Sequence, residues 1–277
     1  MRLVSSYYEL SSSKLKRDYK IVHLSDIHYE KGYSLKRFEI LLKQIKEINP
    51  DYICITGDLI DTPFSLNDSK DLILFRDFLK ELGYISKVII SIGNHEMKGL
   101  TPFSFEQYNK VISKFKNISN VVVLSNELYK DDFLFIGYNP PSSYYEKKEE
   151  DASILINDFN KMDFPLEDKY CILLIHTPKD LLKDKIYLNI PLLSKMDLIL
   201  SGHTHGGMVP TFFPGHFGFI SPSKKLFPSC VRGKLVRNNT TLIICSAIVR
   251  LSNVSGLAKL NDFYAMHINI ISLKKQV

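Results

Sequence analysis

Asp26-Ile27-His28, Gly57-Asp58, Gly93-Asn94-His95-Glu96, His176 and Gly202-His203-Thr204-His205 follow one another along a chain of 277 residues. Together they offer Asp26, His28, Asp58, Asn94, His176, His203 and His205 as donors, with His95 left over. Two divalent cations sharing one carboxylate need such a set, and Asp58 is the pivot, since its two oxygens can bridge ions about 3.5–4 Å apart. Asp26 and His28 stand two residues apart, as do His203 and His205. In an extended segment just past a strand end, both members of a pair face the metal while Ile27 or Thr204 points away. Asn94 supplies a neutral oxygen where a further carboxylate would over-neutralise ions that must attract an anion. Oxygen and imidazole without thiolate suit Mn, Fe or Zn. Taken singly, each cluster reads as a turn or a buried core histidine; the ordered series carries the argument.

His95 directly follows Asn94 and cannot easily reach the same ion. It is left facing the open side, where a leaving group would stand, as a general acid or a donor to a phosphate oxygen. Either Asp61, three residues beyond Asp58, or Glu96 could accept its other ring N–H and raise its pKa. His23 and His267 fall outside the pattern and read as strand packing, whereas His216 is a minor candidate for lining a substrate cleft.

Each cluster follows an apolar run that reads as a buried strand: Lys20–Ser25, Asp51–Thr56, Lys87–Ile92, Tyr170–Ile175 and Met196–Ser201. All five would therefore emerge at one sheet edge. Between them, residues 34–48 carry Leu35, Phe38, Leu41, Leu42, Ile45 and Ile48 on one helical face, and Asn49-Pro50 ends that helix. Asp71–Leu82 repeats the period with Gly83 as its cap, and a further helix is expected near Phe105–Phe115. Val121–Tyr138 reads as antiparallel strands about an Asp131-Asp132 turn, which gives the second half its own sheet. A polar loop, Pro140–Asp151, leads into a helix over Ala152–Lys161, and Gly206–Gly233 reads as a long loop. Thr241–Ala247 and Phe263–Leu273 close the chain as strands, with Asn238-Asn239 as a hairpin turn. Strands interleaved with helices predict a layered α/β protein.

Composition sets the limits. A hydrophobic share of 45% and a charged share of 24% are those of an ordinary globule and exclude disordered and fibrous classes; one domain over residues 1–277 is expected. The net charge of +6 is mild. Four cysteines without CxxC spacing argue against a zinc knuckle or a disulfide framework, and reduced core thiols suit a cytoplasmic setting. No apolar h-region opens the chain, and no uncharged stretch reaches the roughly 18–20 residues of a spanning helix. Lys224, Lys225, Arg232, Lys234 and Arg237 read as a solvated face, and no nucleic-acid module is present, so nucleic acid is a weak expectation. The loop Pro210–Phe219 is dense in aromatic residues. It either packs down or offers peripheral contact to a lipid or membrane surface. Oligomeric state is not legible.

The series Ser25-Asp26-Ile27-His28, Thr56-Gly57-Asp58, Gly93-Asn94-His95-Glu96, His176 and Ser201-Gly202-His203-Thr204-His205-Gly206-Gly207 resembles the calcineurin-like metallophosphoesterase superfamily from about Tyr19 to Gly207. That resemblance implies an α/β fold, a four-layer α-β-β-α sandwich of two mixed sheets flanked by helices, with a bimetal centre at its edge. It implies one metal ion on Asp26, His28, Asp58 and His205, a second on Asp58, Asn94, His176 and His203, and His95 assisting catalysis. Gly202–Gly207 together with His176-Thr177-Pro178 is similar to a bacterial branch of phosphodiesterases. The implied activity is metal-dependent hydrolysis of a phosphoester substrate, most simply a phosphodiester or pyrophosphate, by a metal-bridging hydroxide attacking phosphorus in line. A nuclease or cyclic-nucleotide phosphodiesterase would use the same centre. An inactive protein-binding scaffold, the remote alternative, predicts missing ligands.

Overall fold

The computed structural model describes residues 2–30, 34–61, 69–97, 109, 112–146, 152–166, 168–179, 181–207, 226, 229–249 and 264–276. In β2 (Tyr19–Leu24), β3 (Tyr52–Thr56) and β4 (Lys87–Ser91) nearly every residue is buried, the condition of strands covered on both faces. Alternation decides which cover each residue meets. Val22, Leu24, Ile53, Ile55, Val88 and Ile90 pack with the apolar faces of α1 (Lys36–Ile48) and α2 (Ser69–Ile85). Ile21, Tyr52, Cys54 and Ile89 turn the other way, into a layer shared with Phe135, Leu174, Leu200 and Ile243 of the second sheet.

The first sheet has the order β1 (Leu3–Ser12), β12 (Met266–Lys275), β2, β3, β4, β5 (Val121–Leu124). The second runs β10 (Gly233–Arg237), β11 (Thr240–Ile244), β9 (Leu198–Ser201), β8 (Cys171–Ile175), β7 (Leu134–Tyr138), β6 (Glu127–Lys130). Both are mixed. β2 to β5 are parallel neighbours, as are β7, β8, β9 and β11, while β12 with β2, β10 with β11 and β6 with β7 are antiparallel. Leu155 and Phe159 of α5 (Ala152–Phe159) and Ile186 and Tyr187 of α6 (Asp184–Tyr187) close the outer side of the second sheet. The architecture is the four-layer α-β-β-α sandwich. Residues 112–116 (α3) and Ser142–Glu146 (α4) add short helical turns.

α1 packs on α2 through Phe38 and Phe78, stacked 3.9 Å apart at 10°, a contact worth about 0.5–1.5 kcal/mol beyond the area it buries. Asn49 ends α1 in the left-handed region at φ 48°, its N–H bonding the Ile45 carbonyl at 3.0 Å. Leu35, assigned to the buried face, is 42% exposed just ahead of α1.

Several expectations need correction. Gly83 does not cap α2, which continues to Ile85; a Cβ at Gly83 would come within 2.7 Å of the Ser119 carbonyl, so the helix uses it for close approach. β5 belongs to the first sheet, beside β4, and the second sheet begins only at β6. β1 was not foreseen, because Leu3–Ser12 mixes polar and apolar residues and is largely half-exposed. It pairs in parallel with β12 over ten residues, Leu3 with Met266 through Ser12 with Lys275. Of the residues read as a solvated basic face, Lys234 is exposed in β10, whereas Arg237 bonds Asp184 at 2.7 Å and stacks on Tyr187. The four cysteines are free thiols. Phe105, Lys147–Asp151, Pro210–Phe219 with His216, Lys224, Lys225 and Phe263 lie outside the described residues. Among the described residues, no helix is long and apolar enough to cross a membrane.

Candidate metal centre

All five clusters leave the C-terminal ends of β2, β3, β4, β8 and β9, so the parallel stretches of both sheets deliver them to one edge. The backbone there differs from the extended segment expected. Asp26, His28, Asp58, His203 and His205 have φ of 56°, 47°, 50°, 66° and 50°. For residues with a Cβ this left-handed region costs about 1–2 kcal/mol each, and bonds from the main-chain N–H hold Asp26, His28, Asp58 and His203 in place. Asp26, His28 and Tyr29 donate to Gly57, Asp58 and Leu59 at 3.2, 2.9 and 2.8 Å, lacing the first loop to the second. The His203 N–H donates to the Asp26 carboxylate at 3.1 Å, joining the sheets. Ile27 is fully buried, as expected of the residue between Asp26 and His28.

Two glycines make these approaches. A Cβ at Gly93 would strike the Asp58 carboxylate, and one at Gly202 would strike the Ser25 side chain and the Asp26 carboxylate. Neither position has room for a side chain.

The donor atoms converge as two groups that share Asp58. In the first, ligand atoms of Asp26, His28, Asp58 and His205 all lie within 4.8 Å of one another; in the second, those of Asp58, His176 and His203 do. Asp58 Oδ2 is 3.5 Å from His28 Nε2 and 3.1 Å from His176 Nε2. Asp26 Oδ1 is 3.3 Å from His205 Nε2, the Nε2 atoms of His28 and His205 are 3.2 Å apart, and His203 Nδ1 is 3.2 Å from His176 Nε2. Asp26, His28, Asp58, His176 and His205 are buried; His203 and Asn94 are half-buried.

These residues fit a metal cluster by what they leave unsatisfied. Asp58 Oδ1 accepts the His95 N–H at 2.9 Å, but Asp58 Oδ2 is enclosed with no hydrogen bond, and so is Asn94 Oδ1. A buried lone oxygen costs about 1–3 kcal/mol unless something takes its lone pairs. Four imidazole nitrogens and three side-chain oxygens, with no thiolate, are a donor set for divalent cations.

A second layer orients the donors. His176 Nδ1–H donates to the Thr56 carbonyl at 2.6 Å, fixing the tautomer that frees Nε2. Ser25 Oγ donates to the same carbonyl at 3.1 Å. His28 Nδ1 faces Asp61 Oδ1 at 3.4 Å. Thr204 turns away from the centre and donates to the Val231 carbonyl at 2.6 Å.

His95 stands edge-on to His28, ring centroids 4.5 Å apart at 89°. Its Nδ1–H donates to the main-chain carbonyl of Asp61 at 2.7 Å, and Asp61 Oδ1 lies 3.3 Å from the same nitrogen. Burial works against the imidazolium, but Asp58 and Asp61 outweigh it and push the His95 pKa up to about 9. Glu96, the other candidate for orienting His95, has a different job. Fully buried, it accepts N–H groups from Gly93, Asp58 and Ile60 at 2.7, 3.0 and 3.1 Å, clamping the second loop to the third. Burial, reinforced by Asp58, raises its pKa to about 7.

Sequence reasoning did not find Thr56, Ser25 or Tyr145. Thr56 acts through its carbonyl, which leaves no signature in residue types. Tyr145 sits in what read as a polar loop, yet its ring lies 5.6 Å from that of His203. Ser25 was visible only as part of the stretch before Asp26. His23 is strand packing, as expected: it is fully buried, Nε2–H donating to Thr56 Oγ1 at 2.9 Å while Nδ1 meets the Asn269 amide at 3.2 Å.

A family model described as calcineurin-like phosphoesterase matches residues 19–207. An uncharacterised metallophosphoesterase of Campylobacter jejuni is 31% identical over 200 residues, which cover 72% of this chain and 47% of that protein. One from Bacillus subtilis is 27% identical over 198 residues, covering 71% of this chain and 62% of its own length. The chain thus spans about half to three-fifths of these two relatives. Among solved structures, TT1561 of Thermus thermophilus matches with a TM-score of 0.47 and 12% identity, covering 83% of this chain and 89% of that one.

Proposed function

The chain belongs to the calcineurin-like phosphoesterase family, and from that premise we propose that it is a hydrolase of phosphodiester or pyrophosphate bonds using two divalent cations, Mn, Fe or Zn. The observation that carries the reading is Asp58 Oδ2, enclosed, without a hydrogen bond, and within 3.5 Å of imidazole nitrogens from both groups. Asp26, His28, Asp58 and His205 would hold one ion; Asp58, Asn94, His176 and His203 the other. When bound, the ions supply positive charge to the phosphoryl oxygens and lower the pKa of a water. Asp58 Oδ1, held by the His95 main-chain N–H, fixes the carboxylate so that Oδ2 stays turned toward the imidazoles of both groups. With Nδ1 committed to Asp61, His95 exchanges its proton through Nε2, where it serves as general acid to the leaving oxygen or as a donor to phosphate. Burial of the donor set excludes bulk water from their lone pairs and strengthens the field they create.

Convergence of Asp26, His28, Asp58, His176, His203 and His205 weighs against an inactive scaffold, which predicts missing or dispersed ligands. The test is hydrolysis of bis-p-nitrophenyl phosphate against p-nitrophenyl phosphate with Mn²⁺, extended to short oligonucleotides and a lipid-linked pyrophosphate. Preference for the diester or the pyrophosphate supports the reading. A preference for the monoester overturns the bond assignment, and absence of turnover across the panel overturns the enzyme assignment.

A further inference from the structure

His28 and His176 each have the nitrogen that faces away from the cluster set against an oxygen, Asp61 Oδ1 at 3.4 Å and the Thr56 carbonyl at 2.6 Å. His203 is held by rings as well as by its main-chain bond to Asp26. Its imidazole packs against that of His176, centroids 4.9 Å apart at 70°, and against the phenol ring of Tyr145 at 5.6 Å and 59°. We propose that Tyr145 is a positioning residue for His203: its ring confines the imidazole to the orientation that points Nδ1 at the second ion position, and so sets the metal affinity of that position alone. This rests on the two-ion reading above.

Tyr145 can do this because α4 is itself anchored. Tyr144, buried in the outer core of the second sheet, meets the Tyr145 ring edge-on at 5.1 Å and 85°. Its N–H bonds the Pro141 carbonyl at 2.9 Å. Just upstream, Asn139 accepts the Ile92 N–H at 3.1 Å, donates its amide to Ser125 Oγ at 3.0 Å, and gives its own N–H to Asn126 Oδ1 at 2.8 Å. Ile92 immediately precedes Gly93-Asn94, so the segment carrying Tyr145 is tied to the strand end that presents Asn94, while Tyr145 reaches His203. The two donors that would complete the second position are thus held in register by one short stretch, residues 139–145. A neighbour that orients a metal-binding imidazole typically changes affinity by about 10–100-fold when removed, and a ring contact without a hydrogen bond belongs at the low end.

The experiment is calorimetric titration of EDTA-stripped protein with Mn²⁺. Wild type is expected to take up two ions. Tyr145→Ala should weaken one binding event by about tenfold and leave the other unchanged, and Tyr145→Phe, which keeps the ring, should match wild type. Tyr145→Leu, which keeps bulk but not a flat ring, should behave as Tyr145→Ala and serves where the alanine costs the fold. In a His203→Ala background, Tyr145→Leu should have no further effect, because the residue it acts through is gone. Equal affinities in wild type and both truncations would overturn the inference, as would a uniform loss at both positions or a Phe variant as weak as Ala. A wild-type protein that binds only one ion would overturn the two-ion reading and the inference with it, whereas two ions in wild type with an unchanged Leu variant would overturn the inference alone.

Discussion

His95 is held by the main-chain carbonyl of Asp61, 2.7 Å from its Nδ1, while the Asp61 carboxylate stands at 3.3 Å as a charge between His95 and His28. Position and charge are therefore separable. Asp61→Asn keeps the carbonyl and removes the charge, and kcat is expected to fall by about tenfold with metal retained. His95→Ala removes the proton donor itself and should cost about 10²–10⁴-fold, also with metal retained. Equal losses in the two variants would mean that the carboxylate does the positioning; metal loss from His95→Ala would make His95 a ligand.

Asp58 sits in both donor groups. Asp58→Asn is expected to lower metal content at both positions together, measured by plasma emission spectroscopy after dialysis, and to reduce turnover by at least about 10³-fold. Loss of one ion with full retention of the other would show that Asp58 belongs to a single position.

Glu96 accepts three main-chain N–H groups from Gly93, Asp58 and Ile60. Glu96→Ala leaves all three without an acceptor in a fully buried site, and at about 1–3 kcal/mol each the protein should lose about 3 kcal/mol or more in urea unfolding. Glu96→Gln keeps one oxygen, and placed where Oε2 now stands it serves two of the three donors, so it should cost less than half as much. An alanine variant within about 1 kcal/mol of wild type would refute the clamp.

His23 is fully buried, and burial pushes its pKa from 6.5 down to about 3. The unfolded chain therefore binds a proton between these values that the folded protein excludes. This contribution to stability is complete above pH 6.5 and shrinks as the pH falls toward 3, by about 1.4 kcal/mol per unit, or about 2 kcal/mol by pH 5. Urea midpoints of wild type and His23→Gln at pH 7 and pH 5 isolate the effect, because other titrating groups are common to both. A parallel fall in the two proteins would show that His23 is not the group responsible.

The candidate donor set was legible because metal chemistry restricts residue types. Asp26, His28, Asp58, His176, His203 and His205 were identifiable from their place after apolar strand runs, and the structure gathers them. The backbone that aims them was not. Left-handed φ at His28 and His203 carries no sequence signal, since each is set by a bond from its main-chain N–H to a distant loop, the Asp58 carbonyl and the Asp26 carboxylate, rather than by histidine's own preference. Of the two partners read for His95, Asp61 meets its Nδ1, through its carbonyl as well as its carboxylate, while Glu96, the second candidate, binds main-chain N–H groups that no residue type announces. β1 escaped notice for a similar reason: its stability comes from ten pairings with β12, more than 250 residues away in the chain, and little in Leu3–Ser12 itself announces a strand.

That pairing has a consequence for biosynthesis. β1 is joined to the first sheet through β12, which lies between β1 and β2. On the ribosome, every residue proposed to bind metal emerges before the strand that seats β1, so nascent chains would pass through a stage in which the ions' binding groups exist while one margin of the sandwich still hangs open. Until β12 has emerged, the edge of β2 that it covers over five pairings stays unpaired, an opening for wrong strand pairing.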